Sequence, residues 1–124
     1  MPDRDFLTWP FFEPRHRDWA AEVEGWAAAH AAALVDERDV DGSTRRLARA
    51  MGDAGLLRVA VPEDGQLDVR SLCIAREILA RHAGLADFAF AMQGLGAGAV
   101  TLFGSAALRE RVLPAARAGT ALAA

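Results

Sequence analysis

Apolar residues recur at helical spacing after Pro14, following a proline-rich start that is predicted to be an extended arm over residues 1–14. Spacings of four, three, four and four residues place an apolar stripe on one face of a helix that is predicted to end near Arg38. The members of this stripe are Trp19, Val23, Trp26, His30 and Leu34. Because the stripe faces a core, His30 is expected to be a core or boundary histidine with a hydrogen-bond partner, not a metal ligand.

A second, shorter helix is predicted from a cap, a stripe and a stop signal. Asp41 or Ser43 supplies the N-cap, and Gly55 supplies the C-terminal stop. The stripe between them consists of Leu47, Ala50, Met51 and Ala54. The following stretch, "LLRVAVPEDG", alternates apolar and other residues but has no partner strand, so an extended connector is predicted.

Two more helices are predicted further along the chain. Asp68 caps the first of them and Gly84 closes it. The residues predicted to point inward from this helix are Val69, Leu72, Ala75, Ile78 and Leu79. Ser105 caps the last helix, which Pro114 is expected to bend or end.

Between these two helices lies the segment "DFAFAMQGLGAGAVTLFGSAAL", which has no charged residue after Asp87 and contains four glycines. A membrane span needs about twenty apolar residues, but here small and polar residues dominate and Gly104-Ser105 interrupts the run. "GLGAGA" fits a loose dinucleotide-binding pattern, yet neither a strand nor a ribose-binding acid accompanies it. The segment is therefore predicted to be a helix capped by Asp87 and buried on nearly all sides, with Gln93 as a lone polar group beside room for an apolar ligand. The whole chain is predicted to be an all-α bundle of about five helices.

Composition limits the partners and the compartment. The formal net charge is −3, and all 14 basic residues are arginines scattered among acids, so no basic stripe for nucleic acid is present. Cys73 is the only cysteine and lies in an apolar run, where it is expected to behave as a small hydrophobic residue. With no internal disulfide possible and no signal-peptide pattern at the start, a cytoplasmic location is expected. No metal site is predicted.

Two stretches together resemble a known family. "AGLLRVAVPEDG", followed by "REILARHAGLADFAFAMQGLGAGAVTLFGSAALRERVLPAARAGT", is similar to the N-terminal helical domain of acyl-CoA dehydrogenases. The order and spacing of these segments carry the resemblance, which implies that residues 15–124 form this helical domain. The sequence departs from the family in a shorter turn at "GQLD", and it ends at "GTALAA", where relatives continue into a β-domain.

The resemblance also implies an activity. Acyl-CoA dehydrogenases are flavoenzymes of fatty acid metabolism that oxidise the α,β carbon bond of acyl-CoA thioesters. For the full-length enzyme it thus implies FAD, an acyl-CoA substrate, an electron-transfer acceptor and a homo-oligomer. In relatives the flavin-contacting strand and the catalytic glutamate belong to a β-domain and a C-terminal helical domain. No catalytic residue is therefore assigned here, and the 124 residues alone are expected to be inactive and to bind no cofactor.

Substrate contacts are carried over from one helix of the family. That helix lines the acyl-tail cavity in relatives, which implies the following substrate-binding residues: Phe88, Ala91, Met92, Leu95 and Gly96. Two alternatives stay open at this stage. The chain is either a fragment of a longer enzyme, which an ending near a domain boundary favours, or a free-standing, non-catalytic helical interaction domain derived from the family.

Overall fold

The structure is a computed structural model that describes residues 3–124, and within them the chain forms five α-helices and no strand. The helices are α1 (Pro14–His30), α2 (Val40–Asp53), α3 (Val69–His82), α4 (Gly84–Phe103) and α5 (Ala106–Arg117). Short 3₁₀ turns lie at Asp5–Thr8, Ala32–Leu34 and Leu56–Arg58. The predicted all-α bundle of five helices is confirmed.

The central helix of the bundle is α4, which packs against α2, α3 and α5, while α1 packs against the other side of α3. The largest fully buried apolar side chains come from four of the helices and from the connection after α2: Val23, Leu47, Met51, Leu56, Leu57, Val61, Ile74, Leu79 and Phe90. One continuous core therefore holds all five helices together, and α4 has packed neighbours on only part of its circumference.

Three predicted helix ends are confirmed. The Asp68 carboxylate accepts a hydrogen bond from the Arg70 N–H at the start of α3, and the Ser105 hydroxyl oxygen accepts one from the Leu108 N–H at the start of α5. Gly55 follows α2 with a φ of 77°, a left-handed conformation that favours glycine. These signals involve residues at most four positions apart, which explains why a sequence pattern reveals them.

The cap of α2 is Asp39, so the prediction of Asp41 or Ser43 is wrong. The Asp39 carboxylate accepts the Gly42 N–H at 2.9 Å, which starts the helix earlier than expected. Asp41 lies within the first turn. Ser43 is fully buried, and its hydroxyl oxygen accepts the Asp36 N–H at 2.7 Å.

The end of α1 also differs from the prediction, because the helix stops at His30 and not near Arg38. The chain continues into the Ala32–Leu34 turn and then becomes extended at Val35. Leu34, the last member of the stripe, still packs against the core, but His30 is exposed with its ring against Trp26 at a centroid distance of 5.7 Å. The prediction of a core or boundary position for His30 is wrong.

The junction of α3 and α4 is tighter than expected. Ala83 alone separates the two helices, with extended backbone angles, and Gly84 is the first residue of α4. Asp87 is therefore inside the first turn of α4 and does not cap it; its carboxylate binds Arg76 instead. Val69, predicted to point inward, is the first residue of α3 and is exposed, so that part of the prediction is wrong.

Three irregular parts complete the description. The predicted extended connector after Gly55 begins with a 3₁₀ turn at Leu56–Arg58, in which Leu56 and Leu57 are buried, and continues through turns to residue 65, so that prediction is wrong. Helix α5 continues through Pro114 to Arg117 and is not ended by the proline. The predicted extended arm contains the 3₁₀ turn at residues 5–8, while its first two residues lie outside the described part.

Candidate functional site

Helix α4 has two faces that differ in what covers them. One face is buried in the bundle and carries Ala86, Ala89, Phe90, Gln93, Ala97 and Thr101. The other carries large apolar side chains that are exposed by about half or more, namely Phe88 (54%), Leu95 (71%), Leu102 (49%) and Phe103 (85%). The prediction that α4 is buried on nearly all sides is therefore wrong. Lack of charge along a helix does not specify how many of its sides are covered.

A groove of about 510 Å³ runs along α4 beside α3, at the edge of this exposed face. Its floor consists of small residues, namely Ala60, Ala91, Gly94 and Gly98, and its walls include Leu72, Leu95, Leu102 and Phe103. A Cβ built on Gly94 would lie 3.5 Å from the Ala60 Cβ, an ordinary contact, whereas one built on Gly98 would meet nothing within 4 Å. The groove is thus apolar and has free space above Gly98.

Polar chemistry at the groove is confined to one end. Among the described residues that line the groove, only Arg76 is charged. Its Nε lies 2.8 Å from Asp87 Oδ1, and its Nη2 lies 3.1 Å from Asp87 Oδ2. Hydrogen bonding to this carboxylate raises the pKa of the Arg76 guanidinium. Cys73 also lines the groove and is exposed, and its behaviour as a small hydrophobic residue stays a prediction. This donor set suits an apolar ligand and offers no cluster of free donors for a flavin pyrophosphate.

The structure distributes the five predicted substrate-binding residues over different surroundings. Ala91 and Leu95 line the groove. Phe88 is exposed and Met92 half-buried, both outside the groove lining, and Gly96 packs against the C-terminal segment, where a Cβ would collide with Ala123 and Ala124. Substrate binding by these five residues stays a prediction.

Other groove residues were missed by sequence reasoning, although the signal was available. On α4 they follow Ala91 at helical spacing, and they are Gly94, Gly98 and Leu102. Leu72 comes from α3 and Ala60 from the turn before it, and no spacing within α4 could have revealed these two.

Gln93 has a structural role that excludes the predicted one. It is 1% exposed, and its Nε2 donates to the carbonyl oxygens of Ala116 (2.8 Å) and Ala121 (3.0 Å). Its Oε1 accepts the Ala123 N–H at 2.7 Å. Because the amide is fully engaged in holding the C-terminal segment against α4, Gln93 is not a lone polar group facing a ligand.

A separate polar cluster lies where the start of α1 meets the start of α3. The Asp68 carboxylate accepts hydrogen bonds from Ser71 Oγ (2.7 Å), Arg15 Nη1 (2.6 Å) and the ring of His16 (2.9 Å). Partial burial disfavours the charged form, but the hydrogen bonds from Ser71, His16 and Arg15 outweigh it and hold the pKa of Asp68 well below its ordinary value. The carboxylate stands between the serine and the histidine, so this cluster lacks the Ser–His–Asp order of a nucleophilic triad.

A membrane span and a metal centre are two other functional features that the described residues can be compared with. By length and composition, helix α4 could cross a membrane, but the core helices of soluble bundles share these properties. A third of its most apolar stretch is buried inside this bundle. Within residues 3–124 no group of three or more His, Cys, Asp or Glu side chains is arranged to hold a metal ion.

Comparison with known proteins agrees with this architecture. A family model described as the acyl-CoA dehydrogenase N-terminal domain matches residues 13–120. The matched range starts one residue before α1 and ends after α5, so it includes every helix of the bundle. Comparison with curated proteins gives no significant match. Because the family model covers most of the sequence, the chain belongs to the family of acyl-CoA dehydrogenase N-terminal domains.

Proposed function

We propose that this domain forms one wall of the acyl-chain site of a flavin-dependent acyl-CoA dehydrogenase, an enzyme that oxidises the α,β carbon bond of acyl-CoA thioesters. The observation that carries the proposal is the uncharged groove along α4, in a chain that belongs to this family. Acyl-CoA is the proposed substrate, with FAD, an electron-transfer acceptor and a homo-oligomeric assembly as the further requirements of the full-length enzyme.

The groove would act by removing the acyl tail from water. Burial of each methylene contributes about 0.8 kcal/mol, so a few methylenes held between Leu95 and the floor at Ala91 supply substantial affinity. The floor lacks side-chain hydrogen-bond donors and acceptors, which means that the volume of the groove selects the tail. The groove offers most room at Gly98, where an added Cβ would have no neighbour within 4 Å.

Redox chemistry is not assigned to residues of this groove. The flavin supplies the hydride acceptor when it is bound, and the groove residues do not provide the donors that its pyrophosphate requires. Arg76 is the charged residue of the groove lining, and its guanidinium is paired with the Asp87 carboxylate. The domain's own contribution is to bind and orient the tail and to exclude water from it.

The experiment that tests the proposal compares two Ala→Leu substitutions in the full protein that carries this domain. Ala91→Leu fills the groove, whereas Ala80→Leu places the same side chain on an exposed position of α3 outside the groove lining. We expect Ala91→Leu to lower kcat/KM for the longest acyl-CoA substrates first, while Ala80→Leu leaves the chain-length profile unchanged.

Two outcomes would contradict the proposal. An unchanged chain-length profile in Ala91→Leu would show that the groove does not hold the acyl tail. A complete absence of acyl-CoA oxidation in the unsubstituted full protein that carries this domain would favour the alternative, a non-catalytic interaction domain that presents the exposed face of α4.

A further inference from the structure

His16 is the one fully buried histidine of the described chain, and its two ring nitrogens have different hydrogen-bonding roles. Nδ1 lies 2.9 Å from the backbone nitrogen of Glu13, which has a hydrogen to donate, so Nδ1 must be the acceptor. Nε2 lies 2.9 Å from Asp68 Oδ2 and therefore carries the proton. The bonding pattern fixes the neutral Nε2–H tautomer, in which the Nδ1 bond closes the first turn of α1 against the preceding arm.

A second proton on this ring would be poorly accommodated. It would have to occupy Nδ1 and would break the bond from the Glu13 N–H. The charged groups that face the ring are Glu13 and Arg15 from the start of α1, and Asp68 and Arg70 from the start of α3. These two acids and two arginines already balance each other.

The helix geometry works in the same direction. The ring sits at the N-terminal ends of both α1 and α3, which carry the positive poles of their helix dipoles. An imidazolium here would add a positive charge at 0% exposure beside the Phe12 ring at 5.8 Å, and the Asp68 carboxylate that bonds Nε2 already accepts from Arg15 and Ser71. The hydrogen bonds of the folded arrangement therefore fit the neutral Nε2–H form of the ring.

The arm formed by residues 3–12 is the part that a broken Nδ1 bond would free. Its remaining anchors include a 2.8 Å bond from Arg70 Nη1 to the Phe11 carbonyl oxygen and an ion pair between Arg4 and Glu24. A cleft of about 390 Å³ remains between the arm and helices α1 and α3, and Trp9 is 58% exposed. Phe6, Leu7 and Phe12 of the arm also pack against the core but stay only partly buried.

We propose that His16 is an acid-sensitive latch: protonation of its Nδ1 releases the arm of residues 3–12 from the bundle while the five helices stay folded. Release takes up one proton, so a fall in pH favours it. The proposal does not depend on the acyl-binding function, since it concerns the opposite side of α3 from the groove.

The test uses the chain labelled with 5-fluorotryptophan and followed by ¹⁹F NMR from pH 8 to pH 5. Trp9 reports on the arm, because its ring contacts Phe6 at a centroid distance of 6.5 Å, and Trp26 reports on α1 within the bundle. The released position of the Trp9 signal is taken from the chain in denaturant. We expect the ratio of released to docked arm to rise by at most about tenfold for each unit that the pH falls, the limit for uptake of one proton.

Matched variants identify the group that titrates. His16→Asn keeps an oxygen that can accept the Glu13 N–H but cannot titrate, so its Trp9 signal should stay docked. His16→Gln, which keeps a donor for Asp68, serves if the asparagine variant does not fold. His82→Gln removes a second imidazole, which is partly buried and binds Glu24 at 2.8 Å; Glu24 also pairs with Arg4. This variant should release its arm at low pH as the wild type does.

Three results would overturn the latch: a Trp9 signal that does not change with pH, a change that persists without His16, or a Trp26 signal that moves together with Trp9. The protonation state of the His16 ring can also be measured directly in the wild type, without any variant. Long-range ¹H–¹⁵N correlations should show unprotonated Nδ1 at pH 8 and protonation of Nδ1 in step with the Trp9 change. Protonation without that change would also exclude the latch.

Discussion

The side-chain oxygen of Gln93 accepts the backbone N–H of Ala123 at 2.7 Å, across 30 positions of sequence. Together with its two donated bonds this makes Gln93 the link between α4 and the C-terminal segment. We expect Gln93→Leu to lower the free energy of unfolding by about 1–3 kcal/mol, because it leaves buried backbone groups without partners. Denaturant unfolding measures this, with Gln66→Leu at an exposed position as the control. Equal stability of the two variants would contradict the assignment.

Two neighbouring glycines of α4 should respond in opposite ways to alanine. Gly98→Ala places a methyl group in open space and is expected to raise the free energy of unfolding by about 0.5–1 kcal/mol, since alanine favours a helix. Gly96→Ala drives the same methyl group into Ala123 and Ala124 and should lower it by about 1–3 kcal/mol. Thermal and denaturant unfolding compare the pair directly. A stabilising Gly96→Ala would show that the C-terminal segment does not pack there.

Asp68 should contribute to stability in a pH-dependent way. Its folded-state pKa lies below the ordinary value of about 3.9 that applies in the unfolded chain, so its contribution is fully present above about pH 4. The contribution is lost as pH falls through the lower folded-state pKa. Asp68→Asn should therefore cost about 1–2 kcal/mol at neutral pH, discounted for partial exposure, and less in strong acid.

The measurement is the free energy of unfolding of wild type and Asp68→Asn between pH 7 and pH 2. Glu37→Gln, an exposed acid outside this cluster, is the control for general charge effects. A difference between wild type and Asp68→Asn that grows toward low pH would have the opposite sign and would mean that the carboxylate is not stabilised by its donors.

The 124 residues by themselves are expected to retain no flavin. The groove lining provides one arginine, Arg76, and it is already held by Asp87. Gel filtration of the chain after incubation with FAD, followed by an absorbance spectrum across the visible flavin band, checks this. Stoichiometric flavin that elutes with the chain would contradict the conclusion that the groove lacks donors for the flavin pyrophosphate.

The sequence determined the class of the fold and several helix boundaries. The helical period and the caps at Asp68 and Ser105 are local properties, and the left-handed stop at Gly55 depends on a single residue's backbone. Each involves partners within one helical turn, so the pattern of residue types specifies it without knowledge of the rest of the chain. The resemblance that identified the family used the order of the same local segments.

Only the tertiary structure decided which surfaces are covered and which polar groups are engaged. The apolar run of α4 predicts a fully buried helix, but its neighbours cover one face and leave Leu95 and Phe103 exposed. Gln93 reaches Ala116 across 23 positions, and His16 reaches Asp68 across 52. Burial and hydrogen bonding at such separations depend on how the helices pack, and spacing within one helix carries no information about that packing.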